Sequence, residues 1–133
     1  MLLVWVKEVR RLCATHDRVE IGDQHIGQLL SRAAADPDGK RPSSPVCEVM
    51  EEIASQQMGV GFSIGVQNAR GVELRGKGGA HERDLAAEYR RLAKQRAFDF
   101  PFVSGVLESV AADHERMAKW WDDEAEIEMG REH

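Results

Sequence analysis

The stretch PVCEVMEEIASQQMGVGFSI, residues 45–64, decides the fold. Residues four and three positions apart, in strict alternation, form a seam along one face of a helix. They are Val46, Met50, Ile53, Gln57, Val60 and Ile64. This 4-3-4-3-4 rhythm is typical of a helix that packs as in a coiled coil. Ser44 can cap the helix, and Pro45 suits its first position because the N–H group that proline lacks has no partner there. The pattern predicts one long helix that ends near Asn68.

A second seam with the same rhythm predicts the last helix, from Pro101 to about Ile127. Its positions are Val103, Leu107, Val110, His114, Met117 and Trp121. Helical spacing also predicts helices over 2–14 and about 80–97, and a further one that Asp23 would cap. The inward residues of that further helix would be Ile26, Leu29, Leu30 and Ala33. The fold class is therefore all-α, a small helical bundle of about five helices.

A short β-hairpin near 60–75 is the alternative for one part of the chain. Val60, Phe62, Ile64 and Val66 alternate with small residues, and residues 68–71 could form a turn. A lone hairpin is marginally stable in water, however. Gly61 and Gly65 lie on one helical face, where they would let a neighbouring helix approach closely. The helix is favoured, and the hairpin stays open.

Length and composition predict a single domain over residues 1–133. Within it we expect an N-terminal helical pair at 1–36, a linker loop at 37–45 and a three-helix core at 46–133. The chain is 42% hydrophobic and 31% charged with a net charge of −5, which excludes a disordered tail and argues against a general nucleic-acid coat. Without a recognisable signal sequence or membrane span, we expect a cytoplasmic protein in which Cys13 and Cys47 are reduced.

A basic, glycine-rich segment at 70–83 is the candidate ligand site. Glycines let backbone N–H groups approach an anion, and the segment leads into a helix N-terminus that carries partial positive charge. The residues of this hypothetical anion site are Arg70, Arg75, Lys77, Gly78, Gly79, His81 and Arg83. The alternative is a plain connector whose charges are neutralised by the acidic residues at 113–133, since the last two helices should be antiparallel neighbours.

His114 occupies a seam position, which predicts a core histidine with one hydrogen-bond partner. Burial would lower its pKa, because desolvation disfavours the imidazolium ion. The functional alternative is proton transfer, and an enzyme would use His81, Glu82 or His114. The five histidines do not show metal-ligand spacing, and known catalytic motifs are missing. The sequence therefore favours a non-enzymatic protein with no catalytic residues, no metal and no cofactor.

A distinctive string of residues runs through the second half of the chain: Asn68, Arg70, Gly71, Val72, Arg75, Gly76, Gly78, Gly79, Glu82, Arg83, Leu85, Ala86, Tyr89 and Arg90, followed by Pro101, Val103, Leu107, Glu115 and Ala118. In these residues the chain, from Asn68 to about residue 127, resembles the C-terminal helical segment of a set of functionally uncharacterised bacterial proteins. The resemblance implies a bacterial source and a recurring helical module, and it implies no activity.

Two heptad-spaced seams and the adjacent Trp120 and Trp121 favour a helical module for protein–protein interaction or regulation in an assembly. We expect a protein partner or self-association as a homo-oligomer, and no membrane partner. The alternative function is binding of an anion, a nucleotide or nucleic-acid phosphate at 70–83, which makes a phosphate-bearing ligand the second expected partner.

Overall fold

A computed structural model describes residues 2–33, 37, 42–69 and 79–131. Within them the chain forms six helices. These are α1 Leu2–Thr15, α2 Val19–Ser31, α3 Ser44–Ile53, α4 Gln56–Ala69, α5 Ala80–Arg96 and α6 Pro101–Arg131. The all-α bundle predicted from the sequence is confirmed, with six helices in these ranges in place of about five. None of the described helices combines the length and the apolar character needed to cross a membrane.

The predicted long helix over 45–68 is broken into α3 and α4 at Ala54. This residue adopts a left-handed conformation (φ 49°, ψ 42°), and its N–H still donates to the carbonyl of Met50 as α3 ends. Ser55 then starts α4, because its Oγ accepts the N–H of Met58 at 3.2 Å. The break changes which residues face inward, so the predicted seam is wrong at Val60 and Ile64, which are 43% and 37% exposed.

The alternative hairpin is also wrong where the structure describes the chain, because residues 60–69 belong to α4. Residues 70–75 of that alternative lie outside the described residues. The buried face of α4 carries Met58, Phe62 and Val66, whose spacing is helical.

Glycines bring α2 and α4 together as parallel neighbours. A Cβ atom added at Gly61 would lie 2.7 Å from the backbone of Gln24. A Cβ atom added at Gly27 would lie 2.7 Å from the backbone N of Phe62. At Gly65 the added carbon would lie 3.0 Å from the carbonyl of Gln28. No side chain fits at such distances, so glycine allows a backbone-to-backbone crossing here. The close approach predicted for Gly61 and Gly65 is confirmed.

Asp23 lies inside α2, so the prediction that it caps that helix is wrong. It is buried, and both of its carboxylate oxygens accept hydrogen bonds from Arg10 on α1, at 2.8 and 3.1 Å. Ser55 donates a third bond to it at 2.6 Å. The carboxylate thus ties together α1, α2 and the start of α4. In the same helix Leu29, expected inward, is 57% exposed.

Helices α5 and α6 are antiparallel, as the short connector between them predicts. Their contacts pair the end of α5 with the start of α6, where the Oγ of Ser104 donates to the carbonyl of Ala93 at 2.8 Å. Glu51 on α3 caps α6, since its two oxygens accept the N–H groups of Phe102 and Val103, both at 3.1 Å. The predicted seam of α6 is confirmed: its first four positions are fully or almost fully buried, and Met117 and Trp121 are partly buried.

One buried apolar cluster takes residues from all six helices. Its contributions from the N-terminal pair are Val6, Ile26 and Leu30. Cys13 is half-buried, Cys47 is buried, and neither forms a disulfide with a described residue. Whether the chain divides at 37–45 stays a prediction, because the cluster spans that boundary and residues 38–41 lie outside the described part.

Candidate functional site

The candidate anion segment is described only at its end, where it enters α5. Arg70, Arg75, Lys77 and Gly78 lie outside the described residues. Gly79 packs its backbone against Ala118 on α6, because a carbon added there would lie 2.8 Å from the Cα of Ala118. His81 is exposed.

The start of α5 holds a carboxylate of the same chain. The N–H of Gly79 donates to Oδ1 of Asp122 at 2.8 Å, and Nη1 of Arg83 donates to Oδ2 at 2.5 Å. The Gly79 N–H first, and then the Arg83 guanidinium, hold the pKa of Asp122 below its ordinary value. Among the described residues of the segment, the two best placed to bind an anion therefore contact the acidic end of α6.

Arg90 continues this pairing between α5 and α6. Its Nε donates to Glu115 at 2.6 Å, and its Nη1 is paired with Glu108. The hydrogen bond from Arg90 lowers the pKa of Glu115. Arg90 of α5 is thus neutralised by acidic residues of α6, although these exposed pairs stabilise the fold only slightly. The connector hypothesis for the segment at 70–83 stays a prediction, because most of its basic residues lie outside the described part.

His114 and Glu82 form a buried pair between the same helices. Their side chains are 0% and 1% exposed, and Nδ1 of the histidine lies 2.9 Å from Oε2 of the glutamate. The ring of Tyr89 stacks on the imidazole, with 5.5 Å between ring centroids. The prediction that His114 is a core residue with a hydrogen-bond partner agrees with this geometry. Because neither member of the pair reaches solvent, a substrate could not touch them in this conformation.

Groups of three metal-ligating side chains do not occur among the residues that the structure describes. The buried pair therefore lacks a third metal-ligating side chain there.

The surface between α4 and α6 is a different kind of site, which the sequence reasoning missed. The two helices run parallel and leave two adjoining depressions of about 350 and 470 Å³ between them. We call this surface the α4–α6 groove. Its main lining residues are Val60, Ser63 and Gln67 on α4 and Phe102, Gly105 and Ser109 on α6.

The groove is almost free of charge. Helix α4 contains no Asp, Glu, Lys or Arg from Gln56 to Ala69. On α6 the nearest charged lining residue is Asp113, which is paired with Arg116. Glu108 pairs with Arg90 of α5. The signal that could have revealed this surface is the uncharged run at 53–69 in a chain that is 31% charged.

Comparison with known protein families, with curated proteins and with solved structures gives no match. The likeness of residues 68–127 to bacterial C-terminal segments therefore stays a prediction.

Proposed function

We propose that the chain is a helical protein-interaction module that binds a helix of a protein partner in the α4–α6 groove. The observation that carries the proposal is that α4, a helix without charge, exposes Val60 and Ile64 beside that groove. Charged residues normally cover the exposed face of a surface helix, and they are depleted at the centre of protein interfaces. An uncharged, partly apolar face is what a partner helix requires.

The shape of the groove suits a helix. Small residues on both sides, Ser63 on α4 and Gly105 and Ser109 on α6, allow an approaching backbone to come close. The 14 residues of α4 span roughly 21 Å at the helical rise, which accommodates about four turns of a partner. Recognition of this kind places an apolar helix face in a groove between two helices.

Proximity labelling in the source cells tests the proposal. The full chain is compared with Ser63→Arg, which places a long charged side chain in the groove. The matched control is Val4→Lys, which changes an apolar side chain on α1 that is 70% exposed. We expect at least one protein, the chain itself included, that is labelled by the unmodified chain and by Val4→Lys but not by Ser63→Arg, and that binds as a purified component. If labelling is the same for all three chains, the groove is not an interaction surface.

The alternative function is anion binding at the start of α5, and one observation favours it. Gly79 and Arg83 already hold the carboxylate of Asp122, which is an anion of the same chain. If a phosphate group competes for this place, nucleotide should raise the melting temperature of Asp122→Asn more than that of the unmodified chain. The combined Arg75→Ala and Lys77→Ala variant should abolish the rise. An unchanged melting temperature in every chain would exclude nucleotide binding there.

A further inference from the structure

We propose that the occupant of the α4–α6 groove is a second copy of this chain, so that α4 of each copy lies in the groove of the other and the two α4 helices run parallel. The inference rests on the proposed function and names its partner.

The residues of α4 that face the groove have coiled-coil spacing. Among the α4 residues that line its depressions, Gln56, Val60, Ser63 and Gln67 are four, three and four residues apart, and Gly59, Ile64 and Asn68 flank them. Val60 and Ser63 border both depressions, so they lie at the centre of the surface. A 4-3-4 repeat on a helix face is the pattern with which two helices pack side by side.

Symmetry then fixes the arrangement. In a two-fold dimer the same patch serves both copies. For α4 of each copy to lie between α4 and α6 of the other, the two-fold axis has to run parallel to the helices. An axis perpendicular to the helices would make the α6 helices of the two copies occupy the same space. The two α4 helices are then parallel, and each residue of the 4-3-4 face lies opposite the same residue of the other copy.

The lack of charge on α4 is compatible with a second copy as the occupant. In the parallel arrangement any charged residue on the face would meet the same charge, which is destabilising. Helix α4 has none, although the chain as a whole carries a net charge of −5. The apolar residues exposed on α1 differ in this respect, since Val4, Trp5 and Leu12 are accompanied by the exposed and charged Lys7, Glu8 and Arg11.

The size of the surface sets the expected affinity. A face roughly 21 Å long and roughly 20 Å across the two helices offers about 400 Å² per copy, half of what a standard stable interface buries. We therefore expect a weak dimer, with a dissociation constant on the order of tens of micromolar.

Sedimentation velocity over about 10 to 500 µM protein tests this affinity range. The unmodified chain and Val4→Lys should dimerise alike, whereas Ser63→Arg should weaken the dimer at least tenfold. Gly105→Arg is a second blocking variant, because a carbon added at Gly105 meets nothing within 4 Å and the fold is left undisturbed. Circular dichroism verifies that each variant is helical.

Cysteine cross-linking tests the parallel arrangement. In a Cys13→Ser background, Ser63→Cys should oxidise to a covalent dimer, because equivalent residues face each other within disulfide reach. Val4→Cys is the control, because Val4 is 70% exposed on α1 and does not line the groove.

A chain that stays monomeric throughout, a dimer that both blocking variants leave unchanged, or equally fast cross-linking at Val4 would overturn the inference. If the chain is monomeric but still labels another protein through the groove, the proposed dimer is refuted and the proposed function is supported. If the chain is monomeric and its labelling does not depend on the groove, both the proposed dimer and the proposed function are refuted.

Discussion

Replacing Gly61 on α4 by alanine should destabilise the protein, although alanine is the better helix former. The added methyl carbon would lie 2.7 Å from both the carbonyl carbon and the Cα of Gln24, and its carbonyl oxygen would be closer still. Ordinary van der Waals contact starts at 3.4 Å. The backbones of α2 and α4 therefore have to separate by about 0.7 Å or more at this point, since backbone atoms cannot avoid the methyl group by changing rotamer.

Two opposing terms set the magnitude. Alanine favours the helix over glycine by about 1 kcal/mol. Overpacking a close contact costs about 1–3 kcal/mol, and the upper end applies because Gly27 and Gly65 hold the same two backbones together. The net loss is about 2 kcal/mol of the free energy of unfolding, which corresponds to a melting temperature lower by about 6–8 °C in a chain of this size.

Gly105→Ala is the matched control on α6, where the added carbon meets nothing within 4 Å. It should raise the free energy of unfolding by up to about 1 kcal/mol, since only the helix propensity changes. Urea unfolding followed by circular dichroism in dilute solution measures both variants. If Gly61→Ala proves as stabilising as Gly105→Ala, the helices do not cross as closely as described.

Three further outcomes follow from the polar contacts. Glu82→Ala should cost about 3–5 kcal/mol in urea unfolding, because it removes one member of a buried pair, and replacing Glu82 and His114 together by leucine should cost less; if the double variant loses as much as the two single leucine variants added together, the pair is not coupled. Since Asp122 has a lowered pKa in the folded state, its stabilising effect is present above the ordinary pKa near about 4 and is lost as pH falls through the lower folded value. The melting temperatures of Asp122→Asn and the unmodified chain should therefore differ at neutral pH and converge in acid, and a constant difference would contradict the assigned contacts. Ser55→Ala should cost about 1–2 kcal/mol in the same unfolding assay, because α4 loses its cap and Asp23 loses a donor; an unchanged stability would show that the hydroxyl contributes neither contact.

The sequence was sufficient to predict the last helix and its buried face. Val103, Leu107, Val110 and His114 are inside because one unbroken helix keeps its phase over the whole seam. The antiparallel packing of α5 and α6 followed from the short connector at 97–100. Local spacing and connector length contain this information.

The same 4-3-4 spacing gave a wrong prediction at Val60 and Ile64, because it was continued across the helix break at Ala54. Ala54 is not a residue that marks a left-handed turn, so the change of phase between α3 and α4 had no obvious signal. Gly61 and Gly65 did mark the face that packs on α2, and the apolar residues on the opposite side were left outside. Contacts over long sequence separations, such as Asp23 with Arg10 and Ser55, could not be read from local patterns.

The candidate site could be predicted only in part. The basic residues of α5 and the acidic end of α6 were expected to meet, and Arg83 with Asp122 is such a contact. The α4–α6 groove was missed because it is defined by what α4 lacks, which is charge, and because its second wall lies some forty residues further along the chain, near Gly105.

The glycine crossing between α2 and α4 restricts how the length of this chain can vary during evolution. One residue inserted into α4 ahead of Gly61 would rotate the rest of that helix by about 100°, and a bulky neighbour would then face the backbone of Gln24. Insertions and deletions should therefore accumulate in the connectors, whereas the distance from Ser55 to Gly65 should stay constant in any descendant that still folds.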